Sequence, residues 1–374
     1  MIKKCLAGLC LSLAAYGAET ESTFENSNFT LNMPINGTGE HEWYNYNRFR
    51  ITENIRENNW FVTAIGDLQN HLGNAVIHST SFQISDSVRS DTPFATRSKT
   101  YDYTEGELNG RIYRLYGGYA DERHRLSFGL QKMSMGVGRI WNPTDLFNAK
   151  NPLALEPDEV NGMFSLAYTY SPGDLSQMTA VVAQRSDDSF KYAGRIKGYL
   201  LDIADAAIDA VSADDVGMIG YELEGELMKT GIELRSEGGW FDDKLLHQQF
   251  FQGLIGADYT FENSFSVALE WLHTSKTFER ELLLRLPSGT PDNLVRAHDY
   301  GGINCGYEFD PLLYGSFSAI VNTEDGSFFW SPSLTYSLDN DSSLKLGGLL
   351  YGGGDRSEFG NYGQTYYVNI KITF

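Results

Sequence analysis

Thr365-Tyr366-Tyr367-Val368-Asn369-Ile370-Lys371-Ile372-Thr373-Phe374 is the stretch that decides the fold. Its even positions hold Tyr, Val, Ile, Ile and Phe, and its odd positions hold Thr, Tyr, Asn, Lys and Thr. A period of two places each set on its own face of a strand. Two environments suit such a strand. One is the edge of a soluble sandwich. The other is a membrane-spanning barrel, whose apolar face meets hydrocarbon and whose polar face meets a watery interior.

Recurrence decides between them. Phe164, Leu166, Tyr168 and Tyr170 alternate with Met163, Ser165, Ala167 and Thr169. The same pattern runs through Phe265, Val267, Leu269 and Trp271, and again through Phe328, Trp330, Leu334 and Tyr336. Tyr and Trp near the ends of these runs fit the aromatic girdles of a barrel at the two membrane interfaces. Spans of this kind begin with 43–54, 59–69, 74–84 and 109–120 and end with 342–352 and 364–374, giving about 18 strands. The weakest are 74–84 and 202–211, and without them 16 remain. Long links at 85–108, 132–161, 240–248, 276–296 and 353–363 alternate with short turns such as 121–122, 262–263 and 310–311. An even strand number puts every long link at one end, as bacterial barrels do. The expected fold is all-β: a transmembrane antiparallel up-and-down β-barrel.

The composition agrees. Of 374 residues, 29 are Lys or Arg and 49 are Asp or Glu, a net charge of -20, which argues against a nucleic-acid partner. A hydrophobic content of 41% argues against disorder. No internal run of about 18 apolar residues provides a membrane helix. The basic start at Lys3-Lys4, the apolar run Cys5 to Ala15 and the small residues around Tyr16 read as a signal peptide over 1–17. Its removal leaves Cys305 alone, so no disulfide forms within the chain. Residues 18–40 read as a short periplasmic lead-in, and 41–374 as the barrel.

Inward parity assigns the charges. A basic sector takes Arg48, Arg50, Arg114, Arg123, Arg125, Lys191, Arg195 and Lys197. An acidic sector takes Glu222, Glu224, Glu226, Glu233, Glu237 and Glu270. Link 132–161 is too long for a hairpin turn, and its apolar Trp141, Leu146 and Phe147 would be wasted on an exposed loop. It is expected to fold into the interior, with Arg139, Trp141, Asp145 and Phe147 at a constriction. Catalytic patterns are weak. The seven histidines form no metal-ligand spacing, and no G-x-S-x-G or phosphate loop occurs. Only His273 and Ser275, sharing an outward parity, hint at a hydrolase pair. No metal, cofactor or enzymatic activity is expected.

Gly136-Val-Gly138-Arg139-Ile-Trp141-Asn-Pro-Thr-Asp-Leu-Phe-Asn148, after the strand Arg125 to Gln131, resembles a group of porin-like outer-membrane β-barrels of Gram-negative bacteria. Gly256 to Asn263 is a second, weaker match. The basic strand before the link is faintly similar to alginate-export barrels, although so much interior Glu would repel a polyuronate. The aromatic Phe374 resembles the signal read by the outer-membrane assembly machinery. The resemblance implies a channel for passive diffusion of small hydrophilic or charged solutes, set among outer-membrane lipid and lipopolysaccharide. General porins are often homotrimers, and an isolated barrel fits the same residues. An outer-membrane enzyme, a closed structural barrel and a polysaccharide export channel are the alternatives.

Overall fold

A computed structural model describes residues 17–35, 40–79, 82–83, 90–201, 203–279 and 295–374. The described residues form nineteen antiparallel strands. The first seven are β1 (Glu19–Pro34), β2 (His41–Glu57), β3 (Trp60–Leu72), β4 (Arg97–Tyr103), β5 (Gly106–Ala120), β6 (His124–Gln131) and β7 (Met163–Gly173). Then follow β8 (Ser176–Gln184), β9 (Phe190–Leu200), β10 (Ala204–Ser212), β11 (Val216–Glu226), β12 (Glu233–Asp243) and β13 (Gln248–Thr260). The last six are β14 (Ser266–Thr274), β15 (Asp299–Asp310), β16 (Leu313–Asn322), β17 (Phe328–Ser337), β18 (Ser342–Gly352) and β19 (Thr365–Thr373).

Neighbouring strands pair in sequence, except that β3 pairs with β5 along its whole length, and β1 pairs with β19. The ring therefore closes through eighteen strands, with no free edge. β4 stands outside it, paired with the outer part of β5 that β6 does not reach. Short turns gather at one end and carry turn chemistry. Asn58 turns with φ 52 between β2 and β3, and the Asp121 carboxylate accepts the N–H groups of Arg123 and His124 at 2.9 and 2.8 Å. A ring of this width is too wide for its own side chains to fill.

The alternation seen in the sequence sorts the side chains. Leu166, Tyr168, Ile196, Ile219, Leu269, Trp271, Trp330 and Leu334 point outward and are exposed, while Ser165, Lys191, Glu222, Glu237 and Glu270 point inward and are buried. Cys305 lies on the outward face of β15 as a free thiol. The weak span 202–211 is a strand, β10.

Two assignments need correction. Residues 18–40 are not a lead-in: Glu19–Pro34 is the strand that closes the ring, paired with β2 from Glu19↔Arg56 to Pro34↔His41. Its buried face carries Phe29 and Leu31, Phe29 stacked on Tyr46 and tilted against Tyr367, so its apolar side points inward. Span 74–84 is not a strand where it is described: Asn74–Ile77 makes one helical turn, α1, which buries Val76 and Ile77. These two errors offset each other in the ring, while the expected link 85–108 holds a further strand, β4, outside it. The signal segment lies outside the described residues but for Gly17.

Candidate functional site

The segment between β6 and β7 carries the site. Its first half lies against the inward carboxylates of β11, β12 and β14. Glu237 accepts the main-chain N–H groups of Val137, Gly138 (2.9 Å) and Thr144 (3.3 Å), and the Thr144 hydroxyl at 3.3 Å. Glu270 accepts those of Arg139, Ile140 (2.9 Å) and Trp141 (3.2 Å), and Glu222 accepts that of Gly136 at 2.6 Å. Charge-assisted bonds of this kind are about twice as strong as neutral ones. The glycine pair has a physical reason here. Gly136 has φ +88, and a Cβ there would meet the Glu237 carboxylate at 2.5 Å. Only a bare backbone comes this close to the acid.

The second half of the segment meets the opposite charge. Glu156 holds Arg48 through two bonds of 2.8 Å, and Glu159 holds Arg50 at 2.8 and 2.9 Å. Asp67 takes the other edge of the Arg50 guanidinium at 2.7 and 2.9 Å. Arg50 and Arg114 sit 4.0 and 3.9 Å from the centre of the Tyr113 ring, and Arg111 lies 4.8 Å from it. Arg114 also donates to the Val160 carbonyl at 2.8 Å, and Arg111 to Asn161 at 2.7 Å. The segment is therefore tied at one end to acids by its backbone, and at the other to bases by its own carboxylates. Burial would raise the Glu159 carboxyl, but the Arg50 hydrogen bond and the Arg48 and Arg50 charges outweigh it and hold it at about 2.

The four expected constriction residues do different things. Arg139 is about half exposed (45%), and its guanidinium faces Glu224 at 3.2 Å, Glu233 at 3.4 Å and Asp258 at 3.6 Å. Trp141 is buried with Ile140, Leu254, Leu272 and Tyr300, over Gly302, where a Cβ would meet its ring at 2.8 Å. Asp145 is buried and holds the turn, accepting the N–H groups of Phe147 at 3.0 Å and Asn148 at 2.7 Å. Burial pushes its carboxyl up to about 6, against the pull of those donors. Phe147 lies under the Lys191 ammonium, which donates to the Leu146 carbonyl at 2.8 Å.

The basic sector is less uniform than parity implied. Arg123 is in the β5–β6 turn and not on the wall, a correction that follows from the Asp121 carboxylate capping the N–H groups of Arg123 and His124, which extends the turn by one residue. Arg125 is exposed, over the Phe61 ring at 4.4 Å. On β9, Arg195 pairs with Glu222 and lies 3.4 Å from Asp209, and Lys197 pairs with Asp205 at 2.8 Å. Within the acidic sector, Glu226 is exposed at the strand end and accepts the Gly231 N–H at 2.8 Å. Sequence reasoning passed over Arg235, whose parity with Glu233 and Glu237 was available. It is buried among Asp258, Glu270, Glu224 and Glu233. Glu156 and Glu159, in a link without period, gave no such signal.

The hydrolase hint does not assemble. His273 pairs with Asp299 at 2.9 Å, while the Ser275 hydroxyl accepts the Phe251 N–H at 2.8 Å. Near the outer end, Trp141, Lys150, Pro152, Tyr300, Glu358 and Phe359 help to line a cavity of about 420 Å³.

No protein-family model matches the chain, and no curated protein matches it. Solved structures do. OccAB4 of Acinetobacter baumannii superposes with a TM-score of 0.60 at 11% identity, over 95% of this chain and 98% of that one. OccK5 (OpdH) of Pseudomonas aeruginosa gives 0.60 at 12% identity, with the same coverages. This chain has their fold. The outer membrane protein opdK of Pseudomonas aeruginosa gives 0.59 at 10% identity, over 95% of this chain and 98% of that one. At such identities the likeness is one of architecture, and the charged residues described above stand on this chain's own geometry.

Proposed function

We propose that this chain is an outer-membrane channel through which small hydrophilic or charged solutes diffuse passively, and that it has no enzymatic role. The observation that carries the reading is the 132–161 segment, fastened to acids on one side and to arginines on the other inside a ring too wide to fill itself. The segment narrows the interior and leaves a passage between walls of opposite charge. Hydrated solutes tolerate such a transverse field better than apolar ones. The outer cavity suits the same solutes, offering Trp141, Tyr300 and Phe359 beside Lys150 and Glu358. Phe374, 71% exposed, is placed for the assembly machinery, and the outward apolar belt for lipid and lipopolysaccharide. A homotrimer, as in general porins, is one closed assembly open to the barrel.

Purified protein in a planar bilayer tests the reading. Stepwise ion currents are expected, and a protein that forms none is not a channel. Arg139 is the half-exposed cation beside three acids, so Arg139→Ala should move the reversal potential in a salt gradient toward cation preference. An unchanged potential would remove Arg139 from the constriction.

The Glu159 latch gives a pH dependence. Its carboxyl is depressed from the ordinary 4.5 to about 2, so its stabilisation is complete above 4.5 and is lost as pH falls through about 2. Conductance should therefore rise on acidification across that window. Glu159→Gln should show the raised conductance at neutral pH and a flatter acid response. A variant with wild-type conductance and an unaltered pH profile would remove the latch.

A further inference from the structure

β1 has its polarity reversed, and its outward face is anomalous. Outward from β1 point Asn26, Asn28, Thr30 and Asn32, from β2 Asn45 and Asn47, and from β3 Asn70. Asn26 donates to Asn47 at 2.9 Å, and Asn45 donates to Asn28 at 3.0 Å and to Thr30 at 2.9 Å, while Asn32 meets His41 and Asn70 accepts from Tyr103, so the amides line up as an adjoining polar stripe across the strands. Lower on the same face the Ser22 hydroxyl donates to Glu53 at 2.6 Å, and Glu53 keeps only 7% of its surface. β1 shows no large exposed hydrophobic residue, whereas β14 and β17 show Leu269, Trp271, Trp330, Leu334 and Tyr336. Trp43 and Trp60, exposed on β2 and β3 near opposite ends of the ring, bracket the stripe, so it lies within the membrane belt and not above it.

Acyl chains offer no hydrogen bonds, and polar groups facing them are costly. We propose that the stripe is the surface on which a second copy of this chain docks, in a closed homo-oligomer within the membrane. The partner follows from the chemistry. Each asparagine amide both donates and accepts, so the stripe is complementary to itself. Apart from Glu53 it is uncharged, so two copies of an acidic chain meet without opposing charges across the amides. Apolar flanks continue the contact: Val368, Ile370 and Ile372 of β19 on one side, Val62 and Leu68 of β3 on the other. A patch that meets itself closes about a symmetry axis and does not propagate.

The inference rests on the placement in a bilayer proposed above, but not on conduction. The full chain is extracted in a mild detergent and its protein mass measured by light scattering and native mass spectrometry. A small integral multiple of the single-chain mass is expected. In a Cys305→Ser background, Asn28→Cys should cross-link to itself in intact membranes on addition of copper-phenanthroline. The triple change Asn28→Leu, Asn45→Leu, Asn47→Leu should lose the multiple and give single chains, while keeping the heat-dependent gel mobility of a closed barrel and the conductance per channel. Three results overturn the proposal: single chains from wild-type protein without a cross-link, single chains carrying bound lipopolysaccharide instead of a second copy, or a triple variant with undiminished mass. Multimers without any current would overturn the channel and leave the interface standing.

Discussion

Glu237→Leu should raise the single-channel conductance severalfold and make it noisy, while the barrel keeps its heat-dependent gel mobility. Glu237 is fully buried and serves the main chain of the 132–161 segment at Val137, Gly138 and Thr144. Leucine fills much of the volume but accepts nothing. Each hydrogen bond to a charged group contributes about 1.5–3 kcal/mol, and a buried donor left without an acceptor costs about 1–3 kcal/mol. Three N–H groups are affected together, and the Thr144 hydroxyl with them. Glu270 and Glu222 still hold Arg139 to Trp141 and Gly136, so the segment loosens about its centre and is not released. Glu237→Gln keeps one acceptor oxygen and should fall between the two. A leucine variant with wild-type conductance and noise would mean that the segment does not limit the passage.

Glu237 also marks how far the sequence could be read. Its inward parity and its place among other acids were visible from Glu222, Glu224 and Glu233. Its role was not, because its donors are backbone amides, and no side-chain pattern announces those. The glycine pair Gly136 and Gly138 was the only trace, and it becomes intelligible once the carboxylate is seen above Gly136. The regular strands were legible because each faces hydrocarbon on one side and polar surroundings on the other. The segment's second half was not legible. Glu156 and Glu159 lie in a link, where spacing assigns no face, and their partners are about 110 positions away in sequence. The error at 74–84 has a similar source. Val76 and Ile77 are buried in a helical turn, a dry environment that a two-state alternation counts as membrane.

Removing residues 19–34 should abolish the closed barrel: no heat-dependent mobility, no protease-resistant core and no current. A lead-in would be dispensable, and the polar composition of this stretch invites that reading. The register forbids it. β1 pairs with β2 at sixteen positions and with β19 at eight, and Phe24 and Phe374 exchange both backbone hydrogen bonds, at 3.3 and 2.8 Å. Without it, β2 and β19 are bare edges inside hydrocarbon, where unpaired backbone groups cost several kcal/mol each. They cannot simply join, because both are antiparallel to β1 and hence parallel to each other, with a slanted ladder of different register. A graded deletion separates loss of closure from general damage. Removing 19–23 spares every β19 pair and the Phe24–Phe374 bonds, and should leave a heat-modifiable, conducting barrel. Asn32 and Asn28 hid this strand, because they put amides where strands such as β14 and β17 put leucine or tryptophan, while Phe29 and Leu31 turned inward. If the full deletion conducts as the wild type does, the ring closes some other way and Glu19–Pro34 has no structural task.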